Sequence, residues 1–287
     1  MKLSTKKLGT KLLFFSVLTV LIPMLILGVI STNTVKDSME IQGQDAIEKD
    51  LGISEAMFEE HIEKLELFTA YNAKNSEIIN DIEEHNSYEL SRIANMVDES
   101  AGADFVGFTD LDGTIIGSNL NSDVSVSSLV KKISGSGNTH SIEKISSELT
   151  EKVSSGKISG VEGSLAVVVS SPVYDGNKVV GYIVSIDVLN KDYTLVDSIK
   201  KATGDVATIS LGKYRISTNL ENNGQRVVGT AISDEIYAKV VNQKQDYYAR
   251  TDVLGTPYLC GYTPLYDCQG NAVGMVFTGT LQLLLMT

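Results

Sequence analysis

Part of this chain is written twice, and that repeat constrains its fold more than any other feature. SPVYDGNKVVGYIVSID at 171–187 and TPLYDCQGNAVGMVFTG at 263–279 share a small hydroxyl residue, Pro, an aliphatic, Tyr-Asp, a glycine-containing turn, Gly and a closing apolar strand. DFVGFTDLDGTIIGSN at 104–119 and DVATISLGKYRISTN at 205–219 share an apolar run, a polar turn, a second apolar run and a final Asn. The pairs are offset by 92 and 101 positions, so two units of about 90 residues follow one another in the same order. The second pair reads as two β-hairpins. Each unit is therefore expected to close an antiparallel sheet flanked by a helix, an α+β arrangement. In the second unit that helix is expected at 191–203, with Leu195, Ile199 and Ala202 on one face and Gly204 at its stop. The Ser-rich stretch 119–137 reads as loop.

Upstream of the repeat, residues 12–30 form 19 consecutive positions without a charge, close to the ~20 needed to span a bilayer core. Lys2, Lys6, Lys7 and Lys11 precede the run with no acid among them, and the next charge is Lys36. The lysine bias places the N-terminus, residues 1–11, in the cytoplasm and the bulk of the chain outside the cell membrane, to which one span anchors it. A cleaved secretory signal is the rival reading, although its apolar region usually runs only ~7–15 residues. Beyond the span, Ile47, Leu51, Met57, Phe58, Ile62, Leu65 and Phe68 recur mostly at three- and four-residue steps among Glu and Lys, the pattern of a long amphipathic helix. Residues 72–76 interrupt it. Asn86 with Glu89 resembles a capping box opening a further helix that Gly102 ends.

Subtracting the four N-terminal lysines from the 24 basic residues leaves 20 against 36 acidic ones. A net acidic exterior argues against nucleic acid as a partner, because a phosphate backbone calls for a basic face. Cys260 and Cys268 are expected to stay unpaired, since a strand advancing ~3.3 Å per residue carries the thiols beyond the ~7 Å Cα limit of a disulfide. His61, His85 and His140 are scattered and belong to no metal or triad spacing. No cofactor or metal is expected, and no phosphate-cradling glycine loop is present.

The repeated SPVYD and TPLYD turns, the glycine before each last strand, and the anchor leading into a long helix resemble a known family. They are similar to the double Cache domains, PAS-like extracellular sensors of methyl-accepting chemotaxis receptors and sensor histidine kinases. The resemblance covers about residues 34 to 279, most specifically 159–181, 216–230 and 258–275. It implies a transmembrane helix (12–30), a long helical stalk (34–101), a membrane-distal module (102–187) that takes a small ligand, and a membrane-proximal module (188–279) that passes on its state. It also implies a homodimer through the long helix and a non-catalytic, sensory role. The last residues, 280–287, carry a short apolar run with no output module after it, so the chain reads as the sensing portion of such a receptor.

In amino-acid-binding members an acidic residue at the end of the distal sheet's last strand holds the ligand's ammonium, and Asp187 in VSIDV stands there. The chain departs from those members in having no Trp and no Arg between Arg92 and Arg215, so the carboxylate-binding pair is missing. Ser185, Ser171 and Tyr182 are the other candidates to line that pocket. Asp187 could instead cap the helix beginning near Asn190. In the second unit Arg215 and Arg226, with Lys213 near the same hairpin, could hold an anion, and Tyr258 lies on a strand shared with Tyr262 and Tyr266. Two alternative functions compete: a membrane-anchored solute-binding surface protein without signalling, and a haloacid-dehalogenase-like phosphatase. The latter rests on Asp110-x-Asp112-Gly113-Thr114 after an apolar strand, with Asp187 and Asp192 as magnesium ligands. The corresponding turn of the second unit reads LGKYR, and Asp-x-Asp-Gly suits a hairpin turn without chemistry.

Overall fold

The computed structural model describes residues 5–120, 123–157 and 160–281, and the chain divides into two compact units, Met1–Ala46 and Ile47–Thr287. The first unit is helical over its described residues, within α1 (Thr5–Asn72), whose bounds run into the second unit. Among the described residues no helix is long and apolar enough to cross a membrane. The expected span at 12–30 lies partly outside the described residues. Side chains at 12–14 and 28–29 lie outside the described residues, as do residues 1–4 and 282–287, and the apolar run left between them at 15–27 is shorter than ~20 residues. Within it Phe15, Val20, Met24 and Leu25 are exposed.

In the second unit α1 turns one stripe inward: Ile47, Leu51, Ser54, Phe58, Ile62, Leu65 and Thr69 are all buried. Their steps of four and three keep the stripe on one side of a 3.6-residue helix. Two short helices follow, α2 (Ser76–Glu83) and α3 (Ser87–Ala101). Asn75 caps the first, accepting from Glu77 N, and Asn86 accepts from Glu89 N at the start of the second, as the capping pattern implied.

The first module then runs β1 (Phe105–Thr109), β2 (Ile115–Ser118), α4 (Ser127–Ser136), β3 (His140–Ile145), α5 (Ser147–Ser154), β4 (Ser164–Asp175) and β5 (Lys178–Val188). The second runs α6 (Thr194–Thr203), β6 (Val206–Leu211), β7 (Tyr214–Thr218), the two-residue strands β8 (Glu221–Asn222) and β9 (Gln225–Arg226), α7 (Asp234–Tyr237), β10 (Tyr247–Val253), β11 (Thr256–Tyr266) and β12 (Ala272–Leu281). Their five-stranded sheets are ordered β2-β1-β5-β4-β3 and β7-β6-β12-β11-β10, the same order twice, and every pairing among the described residues is antiparallel. Even the irregularities repeat. The register shifts at Val173/Tyr174 and at Leu265/Tyr266, inside the two Pro-x-Tyr-Asp turns. Asn119 and Asn219 end their hairpins alike, each Oδ1 accepting from the strand amide of Val106 or Ala207. An all-antiparallel sheet removes the phosphatase alternative, which needs parallel strands joined by crossover helices.

The stretch 119–137, expected to be loop, contains α4. Its two inward residues, Val130 and Ile133, are three apart in a Ser- and Lys-rich run, too sparse a signal to stand out from turn composition. Three apolar cores result. The largest lies between α1, α2, α3 and α6 and one face of both sheets, and includes Phe58, Ile82, Leu90, Phe108, Ile199 and Ile209. The second fills the opposite face of the first sheet under α4 and α5. The third fills the opposite face of the second sheet, beneath α7 and the π-helical turn Ala238–Asn242 that continues it.

The repeated glycine before each last strand has a shared cause. A Cβ on Gly181 would run into the carbonyl oxygen of Thr109 on β1, and one on Gly274 into that of Ser210 on β6. These are matching strand pairs in the two modules, so only Gly lets the last strand approach the first. Gly181→Ala and Gly274→Ala are each expected to lower stability in urea unfolding by at least the ~1–3 kcal/mol of an overpacked core. Gly52→Ala, on α1 with nothing within 4 Å, should instead gain up to ~1 kcal/mol. A neutral result at Gly274 would contradict this account of the repeat.

Candidate functional site

At the end of β5 the sheet delivers a carboxylate into the interior. Asp187 is opposite Val167 of β4, and its side chain is 3 % exposed. Its Oδ2 lies 2.7 Å from His61 Nε2 on α1, and its Oδ1 accepts from Lys157 Nζ at 3.2 Å. Lys157 ends a short 3-10 turn, Ser155–Lys157, that follows α5. The same ammonium donates to Asp104 Oδ2 at 2.9 Å and to Asp192 Oδ2 at 3.0 Å. Asp104, just before β1, also accepts from Val188 N and Ser154 Oγ. Asp192, between the modules, accepts from Thr194 N at the start of α6.

One lysine ammonium is thus held by three carboxylates, with an imidazole on the most buried of them. The cluster joins α1, the one end of the first sheet where the start of β1 lies beside the end of β5, the segment after α5 and the link into the second module. Burial alone would raise the Asp187 carboxyl, but the His61 hydrogen bond and the Lys157 charge outweigh it and hold the group below the ordinary carboxylate value. Asp192 is likewise lowered, burial being overcome by Lys157 and Thr194. Lys157 loses stability as a cation through burial, yet Asp187, Asp104 and Asp192 together raise its value. Asp104 goes the other way: burial dominates and lifts it.

The four residues expected to line the first module's pocket fall on two faces of the sheet. Asp187, Ser185 and Ser171 face the helices: Ser185 Oγ lies 3.0 Å from Thr69 Oγ1 of α1, and Ser171 sits opposite Ile183 of the helix-side core. The Ser171 hydroxyl is buried with no hydrogen-bond partner among the described residues. Four strand positions, about 13 Å, separate it from the level of Asp187. Tyr182 instead packs on the second core, on the far face.

The second module's candidates are also dispersed. Arg226 makes a two-pronged pair with Asp197 of α6, both contacts at 2.9 Å, and lies 4.2 Å above the Tyr193 ring. Lys213 pairs with Asp234 at 2.6 Å. Tyr258 packs at the margin of the third core. Arg215 alone is buried. The Asp110 turn of the phosphatase motif is closed on itself, Oδ1 accepting from Asp112 N and Thr114 N at 2.9 Å each. Both cysteines are free thiols. Among the described residues no group of three or more His, Cys, Asp or Glu could hold a metal ion.

Sequence reasoning missed Lys157, His61, Asp104 and Asp192 as one cluster. Lys157 lies in a Ser/Gly-rich stretch that looks solvated, and His61 sits one step from the apolar stripe of α1. The available signal was Asp104, which begins the repeated hairpin and has Asp205 as its counterpart.

The family model described as single cache domain 3 matches residues 187–286, which cover the second module. No curated protein matches the sequence. Among solved structures, the periplasmic domain of Vibrio cholerae LuxQ is similar at a TM-score of 0.56 and 17% identity, over 84% of this chain and 99% of that one. The sensor domain of the V. cholerae histidine kinase DctB follows at 0.53 and 11%, over 82% and 96%. The ligand-binding domain of the Campylobacter jejuni chemoreceptor Tlp3, in complex with L-valine, is similar at 0.50 and 10%, over 87% and 95%. Identities this low establish a common fold, that of Cache sensor domains, on which the resemblance seen in the sequence and the family match agree.

Lys157→Met is expected to remove the cation that touches all three carboxylates among the described residues and to destabilise the chain at neutral pH by about 3–5 kcal/mol, the usual loss when one partner of a buried pair is deleted. The depressed carboxyls of Asp187 and Asp192 contribute stability that is complete above their ordinary value of 3.8 and lost as pH falls through their lower folded values. Raised Asp104 has the opposite sign, its contribution fading as pH rises. Thermal melts from neutral pH down to pH ~3 should therefore show the wild type losing stability in acid below pH ~4, with the gap to Lys157→Met narrowing as the carboxylates protonate. A constant gap would mean that Lys157 acts through packing and not charge.

Proposed function

We propose that this chain is the extracytoplasmic small-molecule-sensing portion of a transmembrane signal-transduction protein of the chemoreceptor or sensor-kinase type, non-catalytic and anchored by one span at 12–30. The observation that carries the reading is that a single helix, α1, makes polar contacts to both modules: the buried pair of Ser54 with Thr278 of β12 at 2.7 Å, and half-buried His61 with Asp187 of β5. The uncharged run of 19 residues supports the anchor, as do the exposed apolar side chains Phe15, Met24 and Leu25 within it. Leu67 and Tyr71, both exposed on α1, suit a homodimer contact through that helix.

For the ligand, the first module offers a site already shaped for a primary ammonium. Lys157 occupies it, and an external amine presenting the same group to Asp187, Asp104 and Asp192 would compete with it. Ser185 and the unpartnered Ser171 hydroxyl extend the polar track along the same face, and Tyr182 would respond from beneath. Displacing Lys157 would free the segment after α5 while His61 still ties Asp187 to α1. The segment is then held in one state and free in the other, and the ligand prefers the second, which a population shift requires.

Thermal-shift titration of the full chain in detergent against primary amines, amino acids and organic acids tests the reading. A primary amine is expected to raise the melting temperature, with the rise abolished in Asp187→Ala. A rise that survives Asp187→Ala would remove Asp187 from the site, and the absence of any stabilising ligand would contradict the sensor reading.

A further inference from the structure

The second module contains a buried cation without an acid. Arg215 on β7 is 6 % exposed. Its Nη1 donates to Thr230 Oγ1 at 3.1 Å and to Ala231 O at 2.8 Å, both neutral acceptors. Its Nε is buried with no hydrogen-bond partner among the described residues. The groups that act on its charge are the Tyr262 hydroxyl and the Cys260 thiol, and burial lowers the guanidinium's proton affinity with no carboxylate to restore it. The contrast is with Arg226, eleven positions on, which clasps Asp197. A desolvated guanidinium left unpaired is costly unless something supplies the missing charge.

The surroundings define what could. The Cys260 thiol and the Tyr262 hydroxyl lie on the same face of the second sheet as Arg215 and close enough to act on its charge. The Cys260 sulfur is a weak acceptor, so the Tyr262 hydroxyl is free to donate to a better one. Burial pushes the Cys260 thiol up to about 12, so it adds no negative charge of its own at neutral pH. The rest of this face is mostly apolar, with Leu220, Val227, Ile232, Ile236 and Val240 packing on Met275 and Phe277, and Ser210, the cross-strand neighbour of Arg215, is already bonded to Gly212 O and Met275 N. The cover over them is α7 and the π-helical turn Ala238–Asn242. A single π turn inside a helix commonly marks a functional site. Outside that cover lies a cavity of about 770 Å³, lined by Tyr214, Gly229, Asp234 and Tyr237 among others, and Gly229 is the chain neighbour of Thr230, which Arg215 holds.

We propose that Arg215 anchors a second ligand site, within the second module, for a small aliphatic monocarboxylate. The ligand's two oxygens would take the Nε and Nη edge of the guanidinium and the Tyr262 hydroxyl, with its short chain among Ile232, Ile236 and Val240. One guanidinium matches one negative charge. A phosphate or a dicarboxylate would leave a further charge buried among apolar residues, and a neutral alcohol would leave the guanidinium uncompensated. The inference goes beyond the amine reading of the first module and shares with it only the sensor fold.

The test is a thermal-shift titration of the full chain in detergent with butyrate, and with 1-butanol, butylamine and inorganic phosphate as comparisons. Butyrate is expected to raise the melting temperature by several degrees at millimolar concentration, while butanol and phosphate leave it unchanged. The rise should vanish in Arg215→Gln, shrink in Tyr262→Phe and persist in Asp187→Asn. Should Arg215→Gln fail to fold, Tyr262→Phe decides: a reduced butyrate shift supports the site and an undiminished one overturns it. No response to butyrate, or a response that both second-module variants retain, overturns the proposal. A butyrate response lost only in Asp187→Asn also overturns it, and a butylamine response lost there leaves the first-module reading intact.

Discussion

Both sheets of this molecule close on one stripe of one helix. Ile47, Leu51, Ser54, Phe58, Ile62, Leu65 and Thr69 follow each other at steps of four and three along α1. Burying Leu51, Phe58, Ile62 and Leu65 contributes about 1.5–3 kcal/mol each. The two hydroxyls and the neighbouring imidazole give the stripe its addresses. Ser54 meets Thr278 in the second module, while His61 meets Asp187 and Thr69 meets Ser185 in the first. A hydrophobic stripe alone could slide or rotate by a turn with little loss. A polar side chain buried against a specific partner cannot, because leaving it unpaired costs about 1–3 kcal/mol.

The charged cluster at Lys157 is set where this registration matters most. Three carboxylates from the start of β1, the end of β5 and the link into α6 converge on one ammonium. A second ionic contact ties the modules together elsewhere: Lys132 of α4 pairs with Glu143 of β3 at 2.6 Å and with Asp267, in the turn between β11 and β12, at 3.1 Å. Movement in the first module therefore has two routes to the second, one through the link at Asp192 and one through the Asp267 turn. Buried ion pairs contribute little net stability, and these fix one arrangement of the elements they join.

Much of this was legible in the residues. The repeat pointed to two units, each closing an antiparallel sheet, and the hairpins at 104–119 and 205–219 fold as hairpins because their apolar runs and polar turns bury one face that way. The last-strand glycines and hairpin-closing asparagines are readable because each answers a backbone need that side chains elsewhere cannot meet. The charge cluster was not legible. Lys157 is 30 positions from Asp187 and 53 from Asp104, in a stretch whose composition resembles any solvated loop, and its partners are known only once the sheet is closed. Helix α4 was hidden for a related reason, since two apolar residues among serines carry too weak a period to compete with a loop. The two faces of β4 and β5 separated Tyr182 from Asp187, Ser185 and Ser171, as the two-residue period of a strand requires.

Helix α1 between Leu51 and Thr69 is held by both modules at once and opens only when they do. Native-state hydrogen exchange of the amides from Leu51 to Thr69 measures this most directly. The account predicts that they exchange together, with an opening free energy equal to that of global unfolding, because no turn of the stripe can leave without exposing a buried partner. Exchange through local openings of much lower free energy, confined to the turns facing one module, would show that the helix is held by that module less firmly than described and would contradict it.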